Sequence, residues 1–145
     1  MMKKIYVLIG LLLFMGLTAF AQGSGNITVS TTGFRNDKGQ ALVALFRSEQ
    51  GFPSDMNHAF IAKVAAIKNG KAIVVFTDVP TGEYAVSAIH DADKDMHFDT
   101  NWIFFPAEGW GTSNNTQGFF GPGNYHDSRF ILDPADATVN IIIHY

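Results

Sequence analysis

Apolar and polar residues along the chain beyond residue 22 follow the period of β-strands. The segment Ile27 to Thr32 alternates strictly between the two, which predicts a half-buried strand. Gln40 to Arg47 is a continuous apolar run and predicts a central strand. Five further runs cover 59–68, 71–76, 83–90, 129–132 and 138–144. These short runs lie roughly 8–12 residues apart, and the pattern predicts an all-β protein, an antiparallel Greek-key β-sandwich of about seven strands.

Turn residues separate the predicted strands. Asn69-Gly70 stands between two apolar runs and predicts a hairpin, although 59–68 could also form a short helix. Pro80-Thr81-Gly82 predicts a tight turn, and Tyr84 follows it at the start of the next strand. This segment resembles transthyretin-like and carboxypeptidase-regulatory-like sandwiches. A Tyr in this place packs its ring, and its hydroxyl can reach a backbone group.

The N-terminal segment has the three parts of a secretory signal peptide. Lys3 and Lys4 precede a 13-residue apolar run over 5–17, and Ala19-Phe20-Ala21 supplies small residues for cleavage. A membrane-spanning helix needs about 20 apolar residues, so an uncleaved anchor is the less favoured alternative. We therefore expect a signal peptide over 1–21 and a single domain over 22–145. The expected location is the periplasm or the outer surface, with no transmembrane span in the mature chain.

Charge and cysteine content narrow the classes of partner. The chain contains 10 Lys and Arg against 13 Asp and Glu, and two of the lysines lie in the predicted signal peptide. An acidic exported domain is a poor candidate for binding nucleic acid, which rewards basic patches. The chain has no cysteine, so no disulfide can stabilise it.

The segment 91–127 carries the candidate chemistry. It is too long for an ordinary connection, since structureless loops above about 12–15 residues are uncommon in compact domains. It contains both tryptophans of the chain, Trp102 and Trp110, together with five phenylalanines and Tyr125. Burial of so many aromatic rings can offset the entropy of ordering, so we expect one long ordered loop.

The opening of this loop resembles a calcium-binding turn. Asp91, Asp93, Asp95 and Asp99 stand at loop positions 1, 3, 5 and 9, and His97 at position 7 could offer its carbonyl. Alternating oxygen ligands let a short loop curl around Ca²⁺. Two residues depart from the pattern, because Met96 replaces the glycine of position 6 and Trp102 replaces the glutamate of position 12.

Other interpretations of the acidic turn stay open. Asn101 or Glu108 could replace the missing ligand at position 12, although spacing alone does not establish it. The turn could also be solvated, with its Asp side chains capping backbone amides. A transition metal would have to use His90, His97 and His126, whose spacing matches no zinc signature.

Two motifs give a specific family resemblance. The first begins at His90-Asp91 and runs through the acidic turn; the second is Pro106-x-Glu108-Gly-Trp110-Gly-x-Ser-Asn114-Asn115. Together with the final Ile-Ile-Ile-His-Tyr strand, they resemble the domain of unknown function 2141 family of exported bacterial proteins, from Ile27 to Tyr145. That family usually has Asn-Gly where this chain has Asp95-Met96. The resemblance implies the fold, export and a shared loop, and it implies no reaction.

These observations leave two functional hypotheses. The first, which we favour, is a non-catalytic cell-envelope module in which Ca²⁺ orders the loop. The loop would then present aromatic and polar side chains to a carbohydrate or a peptide of the envelope. The candidate binding residues are His90, Trp102, Glu108, Trp110, Asn114 and Asn115. Alternatively, the aromatic rings simply cover the open end of the sandwich.

The second hypothesis is a small secreted hydrolase. Asp91 or Glu108 would act as the acid or base, with His90 or His126 as its partner. Ser113 lies in Gly-Thr-Ser-Asn and lacks the Gly-x-Ser-x-Gly pattern of a nucleophile elbow. A sandwich this small without a cofactor motif makes an enzyme the weaker hypothesis.

Overall fold

The computed structural model describes residues 23–99 and 107–145, and within these ranges it consists mainly of β-strands. The strands are β1 Ser24–Thr32, β2 Gln40–Phe46, β3 Ile61–Ala65, β4 Lys71–Pro80, β5 Gly82–Asp91, β6 Trp110–Thr112, β7 Gln117–Gly118, β8 Gly121–Pro122, β9 Phe130–Leu132 and β10 Ala137–Ile142. One short α-helix, α1, covers Tyr125–Ser128, and two single turns of 3₁₀ helix cover Met56–His58 and Ser113–Asn115. The predicted signal peptide, 1–21, lies outside the described residues. Within the described part of the chain, no helix has the length and apolarity to span a membrane.

The strands form two main sheets, which confirms the predicted all-β sandwich. One sheet has the order β10-β1-β4, and the other has the order β3-β2-β5-β6, with β9 also paired to β5. Strands β1 and β10 pair in parallel, while the other pairs are antiparallel. The pair β1 and β10 is thus the one exception among these pairs to the predicted antiparallel pairing. A parallel pair needs a long crossover connection, and nearly the whole domain connects these two strands.

The sandwich core is made by the alternating faces of its strands. Ile27, Val29 and Thr31 on β1 are fully buried, and the residues between them are partly exposed. This is the pattern that strict alternation predicts for a strand with one face on the core. The core continues through Phe76 on β4 and Ile141 on β10.

Strands β2 and β5 are buried on both faces. On β5, Tyr84, Val86 and Ala88 belong to the sandwich core, so Ser87 and Ile89 lie on the opposite face of the sheet. This outer face is covered by the connection between β2 and β3 and by the part of the chain that follows β5. The residues Pro53, Phe98 and Pro122 line a small hollow over Ser87 and Ile89. The segment after β5 thus packs back on the large sheet as a partial third layer.

The Asn69-Gly70 turn is present, but it does not make the predicted hairpin. Asn69 and Gly70 have φ of 52° and 71°, and they close a pair of hydrogen bonds between Lys68 and Lys71. Beyond that bridge the strands separate, because β3 pairs with β2 and β4 pairs with β1. The turn therefore joins the edges of the two sheets. The run 59–68 contains strand β3 and no helix of the kind considered as an alternative.

Tyr84 occupies the position that the Pro80 turn predicts for it. Its ring is buried, and its hydroxyl donates a hydrogen bond of 2.7 Å to the carbonyl oxygen of Pro80. The hydroxyl oxygen of Tyr84 in turn accepts hydrogen bonds from the guanidinium of Arg47. The predicted reach of this hydroxyl to a backbone group is confirmed.

The segment 91–127 is not one continuous loop. Within it the chain forms β6, a β7–β8 hairpin and the first residues of α1, and residues 100–106 lie outside the described ranges. Such short elements have too few residues to show a periodic pattern. The aromatic content predicted that this segment is ordered, but the residues do not indicate where its elements begin.

Candidate functional site

Asp91 begins the acidic turn and is its most deeply buried carboxylate. It is the last residue of β5 and is fully buried. Its oxygens accept hydrogen bonds from Nε2 of Gln40 on β2 at 2.7 Å, and from the backbone N–H groups of Asp95 at 3.1 Å and Met96 at 3.2 Å. The buried carboxylate therefore holds the turn against the end of the large sheet.

The next two acidic residues curl the turn inwards. Asp93 accepts a hydrogen bond from the backbone N–H of Asp95 at 3.2 Å, and Asp95 accepts one from the N–H of His97 at 2.7 Å. Side-chain oxygens that bond two residues ahead make Asx-turns. As a result, Asp91, Asp93 and Asp95 each place a carboxylate oxygen within 4.8 Å of the other two.

The backbone of the turn passes twice through the left-handed region. Lys94 has φ of 65° and Met96 has φ of 64°. Met96 stands at position 6, where calcium-binding loops use glycine for the sharp turn. The sequence departure at this position therefore changes the side chain and leaves the expected backbone conformation in place.

Glu108 closes the turn from the other side. It is only 8% exposed, and it accepts hydrogen bonds from the backbone N–H of Ala92 at 2.9 Å and of Asp99 at 3.2 Å. Asp93, Asp99 and Glu108 form a second group whose carboxylate oxygens lie within 4.8 Å of one another. Glu108 thus comes to the turn from 17 positions beyond Asp91, a distance that no loop pattern predicts.

Burial raises the pKa of the Glu108 carboxyl above its ordinary value, and the negative charges of Asp99 and Asp91 add to this effect. The two backbone N–H groups act in the opposite direction without overcoming it. A carboxylate that is buried beside other carboxylates favours its neutral form unless a cation is present. The electrostatics of this site therefore favour binding a proton or a cation.

The five carboxylates bring together oxygen atoms of the kind that hard cations prefer. The two groups share Asp93, and they offer hard oxygen ligands from flexible side chains, which suit Ca²⁺. His97 is exposed, and its Nδ1 lies 2.8 Å from the carbonyl oxygen of Asp95. The use of the His97 carbonyl as a ligand stays a prediction.

His90 has a different environment from the acidic turn. It is 3% exposed, its Nε2 lies 2.8 Å from the carbonyl oxygen of Lys38, and its Nδ1 lies 2.6 Å from the hydroxyl of Tyr145. A carbonyl can only accept, so we assign the proton to Nε2 and the acceptor role to Nδ1. Nδ1 thus ties β5 to Tyr145 at the end of the chain, and Nε2 ties it to the connection before β2, so neither ring nitrogen is left to pair with Asp91.

The two predicted tryptophans differ in what the structure describes. Trp110 on β6 is 8% exposed, and its ring lies 5.2 Å from the ring of His144, between centroids. Trp102 lies outside the described residues. The burial of Trp110 favours the interpretation in which this aromatic ring covers the end of the sandwich.

Asn114 and Asn115 connect separate parts of the backbone. Nδ2 of Asn114 donates to the carbonyl oxygens of Asp127 and Arg129, each at 3.0 Å. Asn115 accepts a hydrogen bond from the N–H of Ile142 at 2.8 Å and donates one to Asn140 O at 3.2 Å. These amides tie the turn after β6 to α1 and β10.

Ser113 completes this motif by filling a gap beside β5. Strand β6 pairs with residues 87–89 and β9 with residues 82–84, and between them the N–H of Val86 donates to Ser113 Oγ at 2.9 Å. Ser113 is fully buried, and its hydroxyl donates to the carbonyl of Ser128. The hydroxyl therefore has a structural role. His126, the other predicted hydrolase histidine, lies exposed on α1.

The fold and the site together define a β-sandwich protein with a carboxylate-lined turn at the end of a central strand. The chain belongs to the family described as "Uncharacterized protein conserved in bacteria (DUF2141)", whose model matches residues 29–140. This confirms the family resemblance that the two motifs predicted.

Comparisons with individual proteins add little to the family match. No curated protein matches the sequence. Among solved structures, the chain is similar to the pilus-presented adhesin Spy0125 (Cpa), with 14% identity and a TM-score of 0.29. The match covers 83% of this chain and 27% of the adhesin chain, so this chain spans about a quarter of the length of that protein.

Proposed function

We propose that this protein is an exported, non-catalytic module of the bacterial cell envelope whose acidic turn binds Ca²⁺. The observation that carries the proposal is the convergence of five carboxylates in two groups that share Asp93. Three of them come from consecutive alternate positions, and Glu108 joins them from beyond the turn. Ca²⁺ prefers six to eight oxygen ligands, and carboxylates can supply one or two each.

The ion would stabilise the turn by removing repulsion between its charges. Asp91 is fully buried and Glu108 is nearly so, and buried charges need pairing or metal coordination. The left-handed φ of Met96 supports the same proposal, because this is the conformation that calcium loops need at position 6. With the ion bound, the outer layer of the large sheet would be fixed at the end of β5.

The arrangement of the histidines favours a binding module over the alternative hydrolase. The ring nitrogens of His90 are bonded to Lys38 and Tyr145, so His90 is not placed to exchange a proton with Asp91. Ser113 is buried, and its hydroxyl is bonded to the backbone. A carbohydrate or a peptide of the envelope remains our proposed partner.

Thermal unfolding with and without Ca²⁺ tests the proposal. Extracellular calcium modules bind with Kd of about 10⁻⁴ to 10⁻³ M. At a concentration ten times Kd, a ligand that binds only the native state adds about 1.4 kcal/mol to the free energy of unfolding. For a domain of this size we expect Tm to rise by about 5 °C over its value in chelator.

Two variants make the test specific to this site. Asp93→Ala removes the carboxylate that both groups share, so the rise in Tm should disappear. Asp133→Ala removes one negative charge from an exposed position after β9, and it should keep the full rise. An unchanged Tm in millimolar Ca²⁺, or an equal rise in both variants, would refute calcium binding at this turn.

A further inference from the structure

The β7–β8 hairpin exposes two adjacent phenylalanines. Gln117 pairs with Pro122 and Gly118 with Gly121, which leaves Phe119 and Phe120 at the tip. Phe119 is 91% exposed and Phe120 is 65% exposed. Their rings meet edge to face with centroids 4.3 Å apart.

Most of the surface of both side chains faces solvent. A single exposed apolar side chain is common, but contiguous exposed apolar surface marks an interaction site. Each Phe side chain can bury about 150–250 Å². The tip therefore offers a compact apolar surface that projects from the domain.

The surroundings of the tip carry no formal charge along the sequence. Residues 109–125 contain no Asp, Glu, Lys or Arg. The ladder between β7 and β8 pairs backbone groups on either side of the tip. The hairpin itself can thus enter an apolar medium without a charged side chain, whose desolvation would be costly.

We propose that the Phe119-Phe120 tip inserts into the interfacial region of a lipid bilayer. A two-residue projection is too small for a stable protein interface, which buries about 800 Å² on each partner. Insertion to the headgroup and acyl boundary needs a depth of only about 5–10 Å. The chain is acidic overall, so uncharged or zwitterionic headgroups fit it better than anionic ones.

The tip lies on a different element from the acidic turn, and the tip variants leave the carboxylates of the turn in place. A failure of the calcium proposal would leave the tip prediction standing, and the reverse also holds.

A label at the tip tests insertion directly. The chain contains no cysteine, so Phe119→Cys can carry a single environment-sensitive fluorophore. Ile73→Cys is the matched control, since Ile73 is 63% exposed on β4 in the other sheet. All variants keep the full chain, so any contribution of the apolar run 5–17 is common to them. With phosphatidylcholine vesicles, we expect a blue shift and quenching by nitroxide lipids at position 119 and neither at position 73.

Partitioning of the unlabelled protein gives a second measure. Phe119→Ser with Phe120→Ser should lower the partition coefficient to phosphatidylcholine vesicles about tenfold or more. Ile73→Ser with Ile131→Ser removes two comparably exposed apolar side chains and should change it less than twofold. Raising the anionic lipid content should weaken binding by the wild type.

Several results would overturn the proposal. One is a label at position 119 that keeps its aqueous emission in the presence of vesicles. Another is equal partitioning of the wild type and the tip variant. Self-association that is lost in the tip variant, without vesicle binding by the wild type, would instead assign the tip to a contact between copies of the chain.

Discussion

Met96 allows a sharp test of the geometry of the acidic turn. Its φ of 64° is a conformation that costs a residue with a Cβ about 1–2 kcal/mol and costs glycine almost nothing. We compare Met96→Gly with Met96→Ala, because both variants lose the same thioether side chain, which is 44% exposed in the native protein. The comparison therefore isolates the backbone term.

The expected difference in the free energy of unfolding is small, but it makes the Gly variant the more stable of the two. Glycine gains entropy in the unfolded chain worth about 0.4–1 kcal/mol, which offsets part of the strain that it relieves. The Gly variant should still unfold with a free energy about 1 kcal/mol higher than the Ala variant, which corresponds to about 4 °C in Tm. Chemical denaturation in chelator, followed by circular dichroism, measures the free energy of unfolding of each variant.

A control pair of variants at Ser48 shows which of alanine and glycine is the more stabilising at an ordinary backbone position. Ser48 is an exposed loop residue outside the left-handed region, so Ser48→Ala should be more stable than Ser48→Gly by about 0.5 kcal/mol. The inverted order at position 96 is thus the diagnostic result. If Ala equals or exceeds Gly at position 96, the left-handed turn at this position is wrong, and the comparison with a calcium loop loses its backbone support.

Three further predictions concern the fold and the buried carboxylate. Tyr84→Phe removes the hydroxyl that bonds the preceding turn, and it should lower the free energy of unfolding by about 1 kcal/mol in urea titrations. Ser113→Ala leaves a buried N–H of β5 without an acceptor and should cost about 2 kcal/mol in the same assay. Because burial raises the pKa of Glu108, ionisation of this carboxyl opposes folding in chelator. Tm should therefore rise as the pH falls from 7 toward 4.5, and it should rise more in the wild type than in Glu108→Gln. The pKa values of Asp37 and Asp55 are lowered by hydrogen bonds from 3.8, so their stabilising effects are lost only below this window and do not mask the trend.

The β-sandwich could be predicted because its strands have one or two buried faces. Successive side chains of a strand point to opposite faces of the sheet. Alternation in β1 therefore indicates one buried face, and the unbroken apolar run in β2 indicates two. Which strands pair with one another was harder to predict. The turn at Asn69-Gly70 has the expected conformation, yet nothing local indicates that the strands beside it join different sheets.

The candidate site was predictable in part for a similar reason. Asp91, Asp93 and Asp95 converge because alternate residues of one short turn are neighbours in space. Glu108 lies beside the same turn although it stands 17 positions beyond Asp91, so its place could not be derived from spacing. His90 is next to Asp91 in sequence, but adjacent residues of a strand point to opposite faces, which takes its ring away from the carboxylates.

Titration calorimetry of the chain with Ca²⁺ tests the central claim most directly. We predict a single saturable site with Kd no weaker than about 10⁻³ M, and we predict that Asp93→Ala abolishes the heat of binding while Asp133→Ala retains it. No heat of binding at millimolar Ca²⁺, or a titration by Asp93→Ala equal to that of the wild type, would contradict the assignment of calcium to this turn.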